Sequence, residues 1–210
     1  MDLAELAPGS DRYLGQAAYL QLSIFEDLAK LVAAAPTVAG KEALSRAAAV
    51  SLRRFEKLGE EIRRSGKSPS AVMEPYTPAI DFFQSVTQGK DFYESLIRSH
   101  ITAGILDDFF ERLAAGLPRA EGQRIAAIYA AESHDELLAE QIRVGIAADP
   151  RLAARLALWG RRLVGDCILV ARSSLATPPT SATDEARIEP VFTELIAAHT
   201  RRMDALGLTA

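Results

Sequence analysis

The chain has 210 residues, 49% hydrophobic and 25% charged, with 13 glycines and 10 prolines, which excludes wholesale disorder and a collagen-like repeat. A formal charge of −4 gives no global attraction to nucleic acid or to anionic lipid. Cys167 is the single cysteine, so an internal disulfide and a thiolate zinc site are excluded and a reducing cytoplasm is expected; no apolar run is long enough to span a membrane, and the first ten residues lack a secretory pattern.

Apolar residues recur at spacings of three and four along most of the chain, the stripe that a packed helix presents to its neighbours. The first helix is predicted from Asp11 to Ala35, with Leu14, Ala18, Gln21, Phe25, Leu28 and Val32 on one face, Ser10 or Asp11 as its cap and Pro36 as its stop. A second stripe runs Leu44, Ala48, Ser51, Phe55, Leu58 and Ile62 and ends at Ser65-Gly66, where glycine suits a left-handed cap. The short link between them makes an antiparallel hairpin. Residues 66–89 are punctuated by Pro69, Pro75, Pro78 and Gly89 and read as a long crossover with one short helix. Helices of this length are about 35 Å long, a distance such a crossover can travel, so the third helix runs parallel to the second.

The third helix, Lys90 to Gly116, carries Phe92, Leu96, Ser99, Ala103, Leu106, Phe110 and Leu113, and Pro118 ends it. The fourth, Arg119 to Ala148, shows Ile125, Ile128, Ala131, Asp135, Leu138 and Ile142. Asp149-Pro150 starts a fifth that reaches about Leu175, Pro178-Pro179-Thr180-Ser181 is a loop, and a last helix runs from Asp184 to about Leu206. No segment alternates with period two for long enough to be a strand. Two antiparallel hairpins joined by a long crossover is the connectivity of a ferritin-like four-helix bundle. The whole chain, 1–210, is expected to be one all-α domain, with a bundle core at about 11–148 and extra helices at about 150–176 and 184–206.

Bundles of this connectivity often hold two metal ions, using one carboxylate from each of two helices and Glu-x-x-His from the other two. Residues three apart lie on one helix face, so both reach one inward point. Here there is no Glu-x-x-His: the residues three before His100, His134 and His199 are Ile97, Ala131 and Ile196. The Gly-x-Gly-x-x-Gly, Walker A and Gly-x-Ser-x-Gly runs are missing too.

Several segments nevertheless carry a resemblance: Ala18-Tyr19-Leu20-Gln21-Leu22, Ala47-Ala48-Ala49 running into Phe55-Glu56, Glu74-Pro75-Tyr76, Asp108-Phe109-Phe110, Ser133-His134, and above all Arg155-Leu156-Ala157-Leu158-Trp159-Gly160-Arg161-Arg162-Leu163. Over roughly residues 13–176 the chain resembles the tRNA-hydroxylase-like branch of the ferritin-like superfamily, related to the enzyme that hydroxylates the isopentenyl group of a modified tRNA adenosine. That resemblance implies a metal ligand where Gln21 stands, a Glu-x-x-His where Ser51 and Arg54 stand, an acid at Ala103, and a second Glu-x-x-His at Ala131 and His134. Only His134 keeps a ligand type, so the implied layer is vestigial, with no metal, cofactor or catalytic residue assigned. The helical stripes independently place Gln21, Ser51, Ala103 and Ala131 inward near mid-helix.

A rescue of the metal site would need shifted carboxylates. Glu26 and Glu56 lie five positions beyond Gln21 and Ser51, roughly 140° away around the helix, so they face elsewhere. Asp107 and Asp135 lie four beyond Ala103 and Ala131 and can face in, and Asp108 and Glu132 are adjacent. The sharper expectation makes Arg54 the central cation, paired with Asp107 or Asp135 near His134 and Gln21, because a buried guanidinium needs such partners. The alternative is that Arg54 snorkels to solvent.

Residues 150–176 hold five arginines and one acid, Asp166. Arg151, Arg155 and Arg162 share a face that either binds phosphates or bridges to the acidic bundle. The aromatics Tyr13, Tyr19, Phe25, Phe55, Tyr76, Phe82 and Phe83 either line a small-molecule pocket at mid-bundle or are core. Trp159 is expected between the fifth helix and the bundle, Cys167 as an inert buried thiol, and His199 at a solvated helix end. The functional expectation is a homodimeric, cytoplasmic ferritin-like protein without a working metal layer, acting as a binding or structural protein. The alternative is an iron-dependent oxidase or hydroxylase with ligands moved to Asp107, Glu132, His134 and Asp135.

Overall fold

A computed structural model describes residues 6–176 and 182–208, and the predicted loop at 178–181 lies outside them. The described chain is helical, with no strand among the described residues. Four helices, α1 (Ser10–Ala34), α2 (Val38–Arg64), α5 (Phe92–Leu113) and the pair α6 (Arg119–Ala131) and α7 (Asp135–Ala148), form the bundle. The crossover contains α3 (Pro69–Met73), a 3-10 turn (Glu74–Tyr76) and α4 (Thr77–Val86), laid against α1. It is thus two short helices rather than one, because Pro75 and Pro78 each sit in a first turn and restart the chain there. The two additional helices, α8 (Arg151–Ser173) and α9 (Ala182–Ala205), pack outside on α5 and on each other. This is the ferritin-like arrangement, with the crossover joining α2 to α5.

Local chemistry sets the element ends. Thr37 Oγ1 accepts from the Gly40 N–H at 3.0 Å and starts α2, and Gly66, at φ 78°, closes it in the left-handed conformation. Asp91 caps α5 by accepting from Glu94 N–H at 2.9 Å, while Glu94 accepts from Lys90 N–H at 2.9 Å. The start of α1 differs from expectation: Gly9 is its cap residue, and Ser10 lies inside the helix, where its hydroxyl donates to Glu121 at 2.6 Å.

Helix α5 is the centre of the molecule. From Leu96 to Asp107 every residue is buried, since α1, α6, α7, α8 and α9 all touch it. Helix α1 buries more than its single stripe, adding Tyr13, Gln16, Ala17, Leu20, Ile24 and Leu31, because α2, α5 and the crossover enclose it on three sides. The resemblance-bearing run Arg155–Leu163 makes the α8 contact: Leu156 and Leu163 are buried, and Gly160 leaves room for Met203 and Ile101. A Cβ there would lie 2.8 Å from Met203 Cε.

The fourth helix departs most from the sequence reading. A continuous helix over 119–148 is broken at Glu132-Ser133-His134, where Glu132 takes extended dihedrals (φ −151°, ψ 147°). Ser133 Oγ accepts from Asp135 N–H at 3.1 Å, offering the backbone an alternative to the helical bond. Asp135 and Glu136 then fill the first turn of α7, where carboxylates favour a helix start. Periodicity runs through the break undisturbed, so it carried no signal.

Candidate functional site at the mid-bundle polar layer

The break in the fourth helix frees backbone carbonyls at the C-terminal end of α6. Arg54, projecting from α2 and 5% exposed, fills that place. Its Nη2 donates to Tyr129 O at 3.1 Å and Glu132 O at 2.6 Å, its Nη1 donates to Asp107 Oδ2, and the guanidinium lies over the Tyr129 ring, 5.2 Å from its centroid. Asp107, from α5, accepts on its other oxygen from Gln21 Nε2 of α1 at 2.6 Å. His134 Nε2 lies 3.4 Å from Asp107 Oδ2. Residues of α1, α2, α5 and the α6–α7 junction therefore meet at one buried carboxylate and one buried guanidinium. The guanidinium is a permanent cation in a planar fork, and the α6 carbonyls present the negative end of a helix to it.

The remaining expected residues divide. Ser51 and Ala103 are fully buried in this layer, and Ser51 Oγ and Arg54 Nε have no hydrogen-bond partner. Ala131, expected inward, is exposed: it is the last residue of α6, and the break turns it away from the core. Glu132 is exposed as well, its carboxylate paired with Arg53 at the surface while only its carbonyl faces Arg54. Asp135 does not reach Arg54 but accepts from Arg202 Nε at 3.3 Å. Arg202, from α9, also donates to Asp108 at 2.6 Å. Glu26 and Glu56 face solvent.

His199 is not at a solvated end but 3% exposed, on the buried face of α9 formed with Ile188, Phe192, Leu195 and Met203. Burial lowers its pKa to about 4. His100, on α5, is lowered to about 4 by burial, with Asp135 opposing and Arg202, His134 and His199 reinforcing. His134 is lowered first by burial and also by Arg54, against the pull of Asp107. All three histidines are thus neutral near pH 7, and none of the His100 or His134 ring nitrogens is hydrogen-bonded. Among the described residues, no group of three or more His, Cys, Asp and Glu side chains is arranged to hold a metal ion. Two small spaces adjoin Arg54, of about 10 Å³ and 120 Å³, the larger bordered by Asp107, Asp108, Glu111 and Asp135.

A second buried network escaped the sequence reading. Arg98, 5% exposed on α5, donates to Thr87 Oγ1 at 3.0 Å, to Asp27 at 2.6 Å and to Gln84, tying the crossover to α1 and α5. An arginine inside the apolar run Leu96–Leu106 was the available signal. Arg202 offered none, being nearly seventy residues from its nearest partner in sequence.

On α8, Arg155 pairs with Asp91 and Glu94 at the α5 start, Arg151 pairs with its neighbour Asp149 at 3.0 Å, and Arg162 lies 5.8 Å over the Trp159 ring. Trp159 is half-buried against the core, and Cys167 is fully buried with its thiol pKa pushed up to about 12 by desolvation. Tyr13 is core, donating to Phe110 O at 2.6 Å, whereas Tyr76, Phe82 and Phe83 border a cleft outside the bundle centre. No helix among the described residues is long and apolar enough to cross a membrane.

No curated protein matches the sequence. A family model described as "ferritin-like domain, actinomycetes" matches residues 9–177, spanning the bundle, the crossover and α8. That match covers most of the chain and agrees with the α1–α8 architecture; the protein belongs to this ferritin-like family.

Proposed function

We propose that this protein is a ferritin-like binding or structural protein in which an arginine takes the place of a metal layer. The observation that carries the reading is the buried Arg54–Asp107 pair, locked at once to α1 through Gln21 and to α6 through two carbonyls. A pair of divalent ions wants several anionic or imidazole donors each. Here the one buried carboxylate is already engaged on both oxygens, and a fixed positive charge stands beside it. His134 is the remaining donor of ligand type at that point, so the residues present do not fit a two-metal centre. The reading with ligands relocated to Asp107, Glu132, His134 and Asp135 is opposed by the pairing of Glu132 with Arg53 and of Asp135 with Arg202.

The test is elemental analysis after anaerobic reconstitution with ferrous iron. The expected result is no stoichiometric iron. Near two irons per chain, lost in His134→Ala, would overturn the proposal and favour an iron-dependent hydroxylase of the tRNA-hydroxylase-like kind.

A further inference from the structure

Between α1, α4 and α8 lies a cleft of about 240 Å³, separate from the Arg54 layer. Its inner end reaches Leu20 and Phe110, both 1% exposed, so it penetrates to the core rather than lying along a helix face. Tyr76, Phe82, Phe83 and Phe110 supply aromatic rings, and Ile80, Val86, Leu169 and Val170 aliphatic wall. Phe82 and Leu169 stand at its border 68% and 65% exposed, a large solvent exposure for such side chains. Gln16 also lines the cleft; its side chain is more than nine-tenths buried and its carboxamide oxygen has no hydrogen-bond partner. A buried acceptor left open is costly, and a hydroxyl donor entering from the cleft would satisfy it.

We propose that this cleft is a binding site for an uncharged aromatic molecule of about two fused rings bearing one hydroxyl, with the hydroxyl on Gln16 and the rings among Tyr76, Phe82, Phe83 and Phe110. Size sets the ring count: an apolar cavity of about 150 Å³ takes up benzene, so this cleft holds roughly one ring more. Charge argues against an anion: among the described residues the lining holds one charged side chain, Asp166, and no lysine or arginine that would balance a carboxylate or phosphate. Mostly apolar walls with a few polar groups, here Gln16 and Asp166 beside Ser173 and Ser174, whose hydroxyls already donate to Val170 O, are the usual make-up of a small-molecule pocket.

The experiment is titration of the intact protein with 1-naphthol, naphthalene and 1-naphthoate, followed by calorimetry and by fluorescence. One 1-naphthol per chain is expected, bound about five- to tenfold more tightly than naphthalene, the worth of one hydrogen bond, with 1-naphthoate weakest. Gln16→Leu is expected to keep naphthalene binding and abolish the preference for 1-naphthol. Ala79→Trp, an exposed position on α4 beside the cleft, is expected to lose both ligands while leaving the circular dichroism and melting temperature unchanged. Absence of uptake by the unmodified protein overturns the proposal, as does an undiminished 1-naphthol preference in Gln16→Leu. A concentration-dependent dimer that excludes 1-naphthol and is broken by Leu169→Glu would assign the cleft to a second copy and also overturn it. Iron content has no bearing on any of these readouts, so the two proposals fail independently.

Discussion

Replacing Arg54 by methionine keeps the bulk of the side chain and removes its charge. The Asp107 carboxylate, 8% exposed, is then left with Gln21 as its hydrogen-bond donor. Breaking a buried ion pair from one side costs about 3–5 kcal/mol, because the surviving charge stays desolvated. For a chain of this size each kcal/mol corresponds to roughly 2–4 °C, so the melting temperature is expected to fall by about 10 °C. Arg54→Met combined with Asp107→Leu removes both charges and is expected to recover to within about 1 kcal/mol of the original protein, since well-packed apolar replacements of buried pairs are often neutral. Urea denaturation at pH 7.5 measures all three variants, with Asp107→Leu completing the cycle. A second readout is specific to the arrangement. Arg54 is among the groups that hold the His134 pKa down, while Asp107 pulls it up, so His134 titrates at a higher pH in Arg54→Met. NMR titration of the His134 ring reads this directly. A loss below about 1 kcal/mol in Arg54→Met, or a double variant as unstable as the sum of the singles, would refute the pairing as a structural centre.

The buried histidines are expected to make the protein acid-labile. Their folded pKa values lie below the unfolded value near 6.5, so the unfolded state binds more protons as pH falls from about 6.5 towards 4, and stability is full above that window and lost within it. For His100, whose folded pKa is about 4, the loss between pH 7 and pH 5 is roughly 2 kcal/mol, and His100→Gln should flatten the dependence of the urea midpoint on pH in that range. Gly15→Ala places a Cβ 2.4 Å from the Val72 carbonyl oxygen, a backbone atom, and is expected to cost about 1–3 kcal/mol by displacing the crossover. Gly160→Ala meets side-chain ends instead, Met203 Cε at 2.8 Å and Ile101 Cδ1 at 3.1 Å, which can shift more cheaply than backbone, and is expected to cost less than Gly15→Ala, a contrast that thermal melts of the two variants decide. Cys167, buried and with its thiol pKa raised, should resist a thiol reagent at pH 8 until denaturant is added.

Apolar spacing was enough to place α1, α2, α5, α8 and α9 to within a few residues, since each has a face that repeats every three to four positions and an end marked by proline, glycine or a capping side chain. It failed at Glu132–His134, where a serine-to-backbone bond and a buried guanidinium outweigh helix propensity without disturbing the apolar period. Ala131 was misplaced for the same reason. The Arg54–Asp107 contact could be anticipated because a charged residue on an inward stripe demands a counter-charge on a facing one. Arg202 and His199 could not be anticipated: their burial depends on where α9 docks, a long-range choice that leaves no periodic trace.

The gap between α6 and α7 also makes the layer hard to convert. Ser51→Glu with Arg54→His would place an acid and an imidazole on α2, yet it would strip the Tyr129 and Glu132 carbonyls of the group that binds them. A designer wishing to seat metal ions in this scaffold would have to re-form the helix through Ser133 as well, and re-aim position 131 from solvent to the interior. The side chains of this layer and the backbone break beside it would therefore have to change together.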